Sequence, residues 1–458
     1  MKRVAVIGGG PAGSAAALVV ATVLVLAAPA LAADEPAPAP PSLSDLGLRG
    51  TAVFKNFTHF DTTETDRQHV RNEGILQLEW ARRLTEWSDA RIVVDVRGDD
   101  AGFTDGVTFD VQDRNRRRSI VDLEEAVLGV RGGAVAASAG KQIFAWGTAD
   151  AFNPTDNINA YDYLDVIDNE KLGAWSAALR LTTGPASVDV VVIPVFTPSR
   201  LPLPRSRWNP RLPAGFMGVV DDPEVPPVEA DNMQYAARVK ATLRGVDVSV
   251  SYYDGFEHTP VVRLSTVAVA PGLVLPRFTP VFTRVKVAGV DFSTTYRALE
   301  IHGETAFRFV EANGRDDRFQ GIAGINYTWD SLPVSWLEQV VVVAEYAREE
   351  TLASRRHSDI QELGTVPGLG DLLAKNAFRD AVVGRVLFKL SEKTQIEVSG
   401  TVDLVRSPNY FVQPKVMHKV TDALHVEAGL DVFGGEPRTF WGRWRENDRF
   451  FISLKYFF

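Results

Sequence analysis

Apolar and polar residues alternate along most of this 458-residue chain, from Leu48 onward. The alternation runs in segments of about ten residues. It is clearest in YAARVKATLR (235–244) and QIEVSGTVDL (395–404). A period of two places successive side chains on opposite faces of a β-strand, and segments of this length with one apolar face are typical of strands that cross a membrane. The chain is therefore predicted to be all-β.

The connections between these segments alternate between two lengths. Short ones occur at residues 131–134, 183–186, 243–245, 391–394 and 419–422. Long ones occur at residues 61–73, 99–118, 145–172, 197–232, 257–283, 350–376 and 434–447. Outer-membrane barrels join their strands by short periplasmic turns and longer outer loops. We predict a transmembrane antiparallel up-and-down β-barrel of about 18 strands, with 16 as the nearest alternative and residues 260–268 in a loop hairpin.

The last ten residues, RFFISLKYFF, favour this barrel over the soluble sandwiches and propellers that alternating strands also build. One face of the segment carries Phe450, Ile452, Leu454, Tyr456 and Phe458. It resembles the C-terminal β-signal of Gram-negative outer-membrane proteins. The resemblance implies recognition by the barrel assembly machinery, with Tyr456 and Phe458 as the assembly signal, and a location among outer-membrane lipids.

A dinucleotide-binding fingerprint, G-x-G-x-x-G, occurs near the beginning of the chain at Gly8, Gly10 and Gly13. Such a site also needs a second strand that ends in an acidic residue for the ribose, and Leu31 stands where that residue is expected. We therefore interpret the three glycines as a false-positive fingerprint. No FAD, NAD or other cofactor is predicted.

The same region fits a secretory signal peptide at residues 1–32. Lys2 and Arg3 form a positive n-region, residues 15–28 are apolar, and Ala30-Leu31-Ala32 is a cleavage site of the A-x-A type. A Pro/Ala-rich stretch follows at residues 33–46 and is predicted to be a periplasmic linker. The barrel is then expected to occupy residues 47–458.

Composition excludes several classes of function. The chain has 58 acidic and 49 basic residues, a net charge of -9, which argues against nucleic acid as a partner. Cysteine is absent from the sequence, so neither a disulfide framework nor a thiolate metal site can form.

One segment, residues 140–181, carries a motif of the form G-[KR]-Q...WG...D...NP.D. Its matching residues are Gly140, Lys141, Gln142, Trp146, Gly147, Asp150, Asn153, Pro154 and Asp156. The segment resembles part of a family of uncharacterised porin-like outer-membrane β-barrel proteins of Gram-negative bacteria. The resemblance implies passage of small solutes through the outer membrane.

Residues 145–172 form the third outer loop of the predicted barrel, which in general porins folds into the lumen. Its acidic residues are Asp150, Asp156, Asp162, Asp165, Asp168 and Glu170. Nearby arginines of opposite sign are Arg114, Arg116, Arg117, Arg118, Arg200, Arg205, Arg207 and Arg211. Clusters facing each other would form a pore constriction with a transverse field, and free carboxylates there would favour cations. A solvated acidic loop is the alternative, and calcium is a weaker one because the spacing does not match an EF-hand loop; no metal is predicted.

Charged residues on the strands are predicted to line the lumen wall. They are Arg238, Lys240, Glu300, His302, Glu304, Arg308, Glu397 and Asp403. We expect a passive or weakly selective channel without catalytic residues. A specific transporter or exporter for apolar or larger substrates stays open, as does a hydrolase on a barrel scaffold, for which His302 between Glu300 and Glu304 would be the candidate. The solute, the charge selectivity and the oligomeric state stay open as well.

Overall fold

The computed structural model describes residues 46–107, 109–209, 218–311, 316–330, 332–353, 360–361, 378–405 and 407–458. The predicted signal peptide with Gly8, Gly10 and Gly13, the linker up to residue 45, and Arg211 lie outside the described residues. Two short 3-10 helices are present in the described part, at Ala230–Asn232 and Gly442–Asn447. No helix among the described residues is long and apolar enough to cross a membrane.

The described residues form 24 strands, and 18 of these belong to one sheet. The 18 strands of the sheet are β1 (Leu48–His59), β2 (Val70–Arg83), β3 (Ser88–Asp99), β4 (Val121–Gly132), β5 (Val135–Gln142), β8 (Ala174–Thr183), β9 (Ala186–Ile193), β11 (Gln234–Leu243), β12 (Val246–Phe256), β15 (Arg284–Tyr296), β16 (Leu299–Val310), β17 (Asp317–Trp329), β18 (Gln339–Ala353), β20 (Asp380–Lys389), β21 (Thr394–Asp403), β22 (Asn409–Lys419), β23 (Leu424–Gly434) and β24 (Arg449–Phe457). The shorter strands of the connections are β6 (Tyr161–Asp162), β7 (Glu170–Lys171), β10 (Val219–Val220), β13 (Val261–Ala270), β14 (Leu273–Val281) and β19 (Ile360–Gln361).

The sheet closes on itself. Every strand of the barrel pairs antiparallel with the next barrel strand along the chain. The first strand, β1, also pairs antiparallel with the last, β24, from Thr51 opposite Phe457 to His59 opposite Arg449. Closure satisfies the hydrogen-bonding groups of both edge strands, as a strand structure in lipid requires. The predicted up-and-down barrel is confirmed, with 18 strands rather than 16.

The connections also follow the prediction. Turns at residues 133–134, 184–185 and 244–245 join neighbouring strands at one end of the barrel. Longer connections at the other end include residues 60–69, 100–120 and 143–173. The predicted loop hairpin between β12 and β15 is present as β13 and β14, which lie outside the barrel sheet.

The outer face of the barrel is apolar. On β11 and β12, Val239 and Val250 are exposed while Arg238 and Ser249 are buried. The same alternation recurs on other strands, where exposed apolar residues include Ile301, Phe307, Phe309, Val398, Val402 and Leu454. A closed barrel with an apolar outer band and a polar interior is the structure of a protein that spans the outer membrane.

The C-terminal strand places its aromatic residues as the sequence suggested. Phe450 and Leu454 are exposed on the outer face, and the rings of Tyr456 and Phe458 lie 6.2 Å apart. The Phe458 backbone exchanges two hydrogen bonds with Gly50 of β1. These residues therefore take part in barrel closure, whereas recognition by the assembly machinery stays a prediction.

Two hydrophobic clusters lie inside the barrel. The first packs Trp146 and Ile158 of the 143–173 connection against strand residues such as Ala174, Val191 and Tyr253. The second joins four outer connections through aromatic and aliphatic side chains, Phe103, Leu164, Trp208, Phe433, Trp441 and Trp444. Buried clusters of this size hold the connections in place. The outer half of the lumen is consequently occupied by folded chain.

Candidate functional site: the lumen loop

The connection between β5 and β8, residues 143–173, crosses the interior of the barrel, and we call it the lumen loop. Its first part hydrogen-bonds to β16 and β18, and its second part forms ion pairs with β1 and β24. These strands lie on different sides of the closed sheet. The prediction that this loop folds into the lumen is confirmed.

The motif at the start of the loop has a structural explanation. Gly140 has a φ of +131°, and a Cβ there would lie 1.8 Å from the Ala126 carbonyl oxygen. Lys141 is buried and forms an ion pair with Asp113 at 2.7 Å, and Gln142 donates to the Ser176 hydroxyl at 3.1 Å. The G-[KR]-Q residues therefore direct the chain from β5 into the barrel.

Glu304 of β16 holds both ends of the loop tip, which we define as residues 146–155. Its buried carboxylate accepts hydrogen bonds from the backbone N–H groups of Thr148 and Ala149, the latter at 2.7 Å, and from the Thr155 hydroxyl at 3.0 Å. Gly147 has a φ of +102°, and a Cβ there would lie 2.5 Å from Glu304 Oε1. Only glycine lets the backbone approach this carboxylate so closely.

Glu345 of β18 holds the next two residues of the tip. Its Oε1 accepts from the Asp150 backbone N–H at 2.7 Å, and its Oε2 accepts from the Ala151 backbone N–H at 3.0 Å. His302 Nε2 lies 2.8 Å from Glu345 Oε1, and both side chains are buried. Hydrogen bonds of backbone groups to a buried carboxylate are stronger than those between neutral groups. Glu304 and Glu345 thus form a pair of clamps on the loop tip.

One nitrogen and two carboxylate oxygens from His302, Glu345 and Asp150 lie within 4.8 Å of one another, a combination that could hold a metal ion. Each of the three side chains is already engaged. His302 and Glu345 bond to each other, and Asp150 lies against the Arg385 guanidinium at 2.9 Å, whose charge opposes a cation. His302, Glu345 and Asp150 therefore hold the loop tip through these contacts.

The Asp150 side chain points into the remaining lumen. Its Oδ1 lies 2.9 Å from Arg385 Nη2 of β20, and its Oδ2 accepts a hydrogen bond from Asn326 at 3.2 Å. The two charged side chains are 33% and 40% exposed. This ion pair therefore joins the loop tip to the barrel wall in contact with solvent.

Asp162 anchors the loop body, which we define as residues 156–172. It accepts from Arg118 Nε at 2.9 Å and from Arg200 Nη1 at 3.2 Å, and all three side chains are buried. Burial alone would raise the pKa of Asp162, but the two guanidinium groups lower it to about 2. The carboxylate is therefore held in its charged form.

The other acidic residues of the loop body are also paired. The partners are Arg449 Nη1 for Asp165 at 2.5 Å, Lys55 Nζ for Asp168 at 2.5 Å, Arg97 Nη1 for Glu170 at 2.5 Å, and Lys171 for Asp156. Burial opposes ionisation of Asp165, yet the facing guanidinium lowers the pKa of this carboxyl below its usual value. Each predicted loop carboxylate thus faces a cation, and those of the body serve as anchors.

The predicted arginines divide into two groups. Arg118 reaches the loop carboxylates, together with Arg200. Arg207 is buried against Asp66. In contrast, four arginines are exposed at the outer mouth, namely Arg114, Arg116 near Asp222, Arg117 near Asp105, and Arg205. The structure therefore brings only part of the predicted cation cluster to the loop.

All eight predicted lumen-wall residues lie on strand faces that point into the barrel. Their contacts are Arg238 with Asp291, Lys240 with Asp247, Glu300 with Asn326, His302 with Glu345, Glu304 with the loop tip, Arg308 with Glu257, Glu397 with Lys415, and Asp403 with the Val405 backbone. Glu300 and Glu304 do not bond to His302 in the described structure, so the three do not form the unit that a hydrolytic site would require.

Sequence reasoning missed Arg385 and Glu345. Arg385 is the single charge in the apolar run AVVGRVLF of β20, and Glu345 follows the run VVVVA of β18. A charged residue in or beside such an apolar run, at a position whose side chain faces the lumen, is the signal that could have identified both residues.

The closed sheet, the apolar outer face and the charged interior with an inserted loop define a transmembrane β-barrel of the outer-membrane type. No protein-family model matches the sequence, and no curated protein is significantly similar to it.

Several solved barrels are similar to this chain at low sequence identity. The outer-membrane protein Wzi of Escherichia coli, described as a carbohydrate-binding β-barrel involved in group 1 capsule assembly, is 10% identical, with 90% of this chain and 84% of that chain covered and a TM-score of 0.47. OccK11 (OpdR) of Pseudomonas aeruginosa is 10% identical, with 90% and 95% covered and a TM-score of 0.46. A triple mutant of Rhodopseudomonas blastica porin is 10% identical, with 90% and 99% covered and a TM-score of 0.40.

Proposed function

We propose that this protein is a porin-like channel for the passive or weakly selective passage of small polar solutes across the outer membrane. The observation that carries the proposal is the Asp150–Arg385 pair, because both side chains are partly exposed although they lie inside the barrel. Charged groups keep such exposure only where water reaches them. We infer that the lumen beside the loop tip is hydrated and has charges of both signs on its walls.

The packing of the lumen loop supports a constriction of fixed shape. The body is held by buried ion pairs, and the tip is held by two buried carboxylates. A rigid loop leaves a constant opening beside the Asp150–Arg385 pair, where solutes meet both charges. Selectivity in such a pore comes from its width and from the charges on its walls. The barrel needs no covalent chemistry for this role.

Conductance in planar bilayers tests the proposal. The full refolded chain is expected to give discrete conductance steps in potassium chloride. Circular dichroism and heat-modifiable migration on gels establish in the same preparation that the barrel is folded. A folded barrel that conducts no ions would overturn the proposal, and a plugged lumen for a specific transporter or exporter would then be favoured.

A further inference from the structure

The outer mouth of the barrel contains a pocket of about 860 Å³ that the channel proposal does not use. It lies between the connections 60–69, 100–120 and 194–209, and we call it the mouth pocket. Its charged lining residues are Arg71, Arg116, Arg117, Arg205, Asp66 and Asp105. Four arginines against two aspartates give the pocket a positive excess, although the chain carries a net charge of -9.

The floor of the mouth pocket concentrates this excess. The Asp66 carboxylate is shared by two buried guanidinium groups, those of Arg71 and Arg207. Among the described residues, Arg71 Nε and Arg207 Nη1 have no hydrogen-bond partner. Burial and the nearby Arg449 lower the pKa of Arg207 to about 10, which reflects the cost of holding several guanidinium groups together. Because Arg71 shares the Asp66 carboxylate with Arg207, this carboxylate offsets less of the positive charge that Arg71 brings to the pocket lining.

The rim of the mouth pocket offers arginines that a ligand can recruit. Arg205 is exposed and forms no ion pair in the described part of the chain. Arg116 faces Asp222 at 2.8 Å and Arg117 faces Asp105 at 3.2 Å, but all four side chains are exposed. Exposed ion pairs of this kind are worth at most about 1 kcal/mol, so both arginines can turn to a bound anion.

An apolar surface completes the pocket. Phe103 lines it, and the Arg71 guanidinium lies 5.4 Å from the centre of that ring. A solute with a small carbon skeleton would therefore find an apolar wall beside the charged groups. Guanidinium groups bind carboxylates and phosphates through paired hydrogen bonds, which makes arginine the preferred residue for both.

We propose that the mouth pocket is a docking site for small anionic solutes that carry a carboxylate or phosphate group. The site concentrates such solutes at the outer entrance before they reach the Asp150–Arg385 constriction. Its role in transport rests on the proposed channel function, whereas binding of the anion does not.

Isothermal titration calorimetry on the full refolded chain in detergent tests the binding directly. Inorganic phosphate and succinate are titrated separately, and saturable binding of at least one of them is expected. The triple variant R116Q/R117Q/R205Q removes the rim charges, and we expect its dissociation constant to rise about tenfold, the loss of a charge-assisted contact. Because all three residues are exposed, the variant is expected to keep the heat-modifiable migration of the folded barrel.

A matched control removes the same charge elsewhere on the outer connections. R277Q/R438Q/R445Q alters three exposed arginines that do not line the mouth pocket, and its affinity is expected to stay within about twofold of the parent. Binding of phosphate alone or succinate alone supports the site and identifies its anion. Absence of binding of both anions, unchanged affinity of the triple variant, or an equal loss of affinity in the control would overturn the proposal.

Bilayer conductance tells the two hypotheses apart, since binding without conductance contradicts only the channel, and conductance without binding contradicts only the site.

Discussion

The two parts of the lumen loop are held by different kinds of contact. In the loop body, buried carboxylates such as Asp162 and Asp165 meet buried arginines of other connections and strands. In the loop tip, the backbone itself is held, since its N–H groups donate to Glu304 and Glu345. The tip leaves the Asp150 side chain free to face Arg385 in the lumen.

This difference separates charges that hold the loop in place from charges that solutes would meet in the proposed channel. A buried ion pair is costly to break because the surviving partner loses its compensation, whereas an exposed pair contributes little stability. The body charges therefore have their main effect on loop structure. The exposed pair at the tip has its main effect on the field in the passage.

The largest effect is expected from Asp162→Asn. The substitution removes one negative charge beside the buried Arg118 and Arg200. Arg118 keeps its ion pair with Glu73, and Arg200 keeps its ion pair with Asp113. We expect docking of the loop body to weaken by about 3 kcal/mol, the lower end for a broken buried pair. Hydrogen exchange of residues 160–172 measures the change.

Asp105→Asn serves as the control, because Asp105 pairs with Arg117 on the exposed surface. Its effect should stay below about 1 kcal/mol. If Asp162→Asn leaves exchange in the loop body unchanged, the assignment of Asp162 as an anchor is wrong.

A smaller effect is expected from Glu304→Gln. The amide is neutral and has one acceptor oxygen where the carboxylate has two, so the bonds from Thr148 and Ala149 lose their charge assistance and the Thr155 hydroxyl loses its acceptor. We expect opening of the tip to become easier by about 2 kcal/mol, which corresponds to about thirtyfold faster exchange of the Thr148 and Ala149 amides. Glu300→Gln on the same strand face is the control, and equal acceleration in both variants would contradict the clamp.

Acid should release the loop body in a defined range. The pKa of Asp162 is lowered from 3.8 to about 2, so its contribution is complete above about pH 4 and is lost as the pH falls through about 2. The shift corresponds to about 2 kcal/mol. Pepsin cleavage within residues 156–172 is expected to accelerate between pH 4 and pH 2. The acceleration should be weaker in Asp162→Asn, and identical pH profiles for the two proteins would argue against Asp162 as the titrating group.

The smallest energetic effect is expected at the exposed pair. Asp150→Asn should shift ion preference towards anions and Arg385→Gln towards cations, because each leaves the opposite charge at the passage. An exposed pair is worth up to about 1 kcal/mol, so permeability ratios should change by about fivefold or less. Reversal potentials in a salt gradient measure the ratios. Shifts of the same sign in both variants would contradict a passage that runs beside this pair.

Much of the barrel could be predicted from local pattern. The phase of YAARVKATLR correctly assigned Val239 to the outer face and Arg238 to the interior. Strand number and the β13–β14 hairpin were also predicted. These features depend on periodicity and on connection lengths, both of which a sequence displays directly.

The pairing of the lumen charges could not be predicted in this way. Lys55 and Asp168 are separated by 113 residues, and Asp165 and Arg449 by 284. The acidic composition of the loop suggested free carboxylates and a preference for cations. In the structure, Asp165 and Asp168 are paired with basic residues from β24 and β1.

The sequence by itself determined that the chain forms a barrel, which face of each strand meets lipid, and which residues can lie in the lumen. Alternation carries that information because side chains of a strand point to opposite faces whatever the strand pairs with. Only the tertiary structure decided which charges are neutralised and which face water. Closure of the barrel and entry of the loop bring distant residues within hydrogen-bond distance, and the strength of a charge depends on those neighbours and on burial.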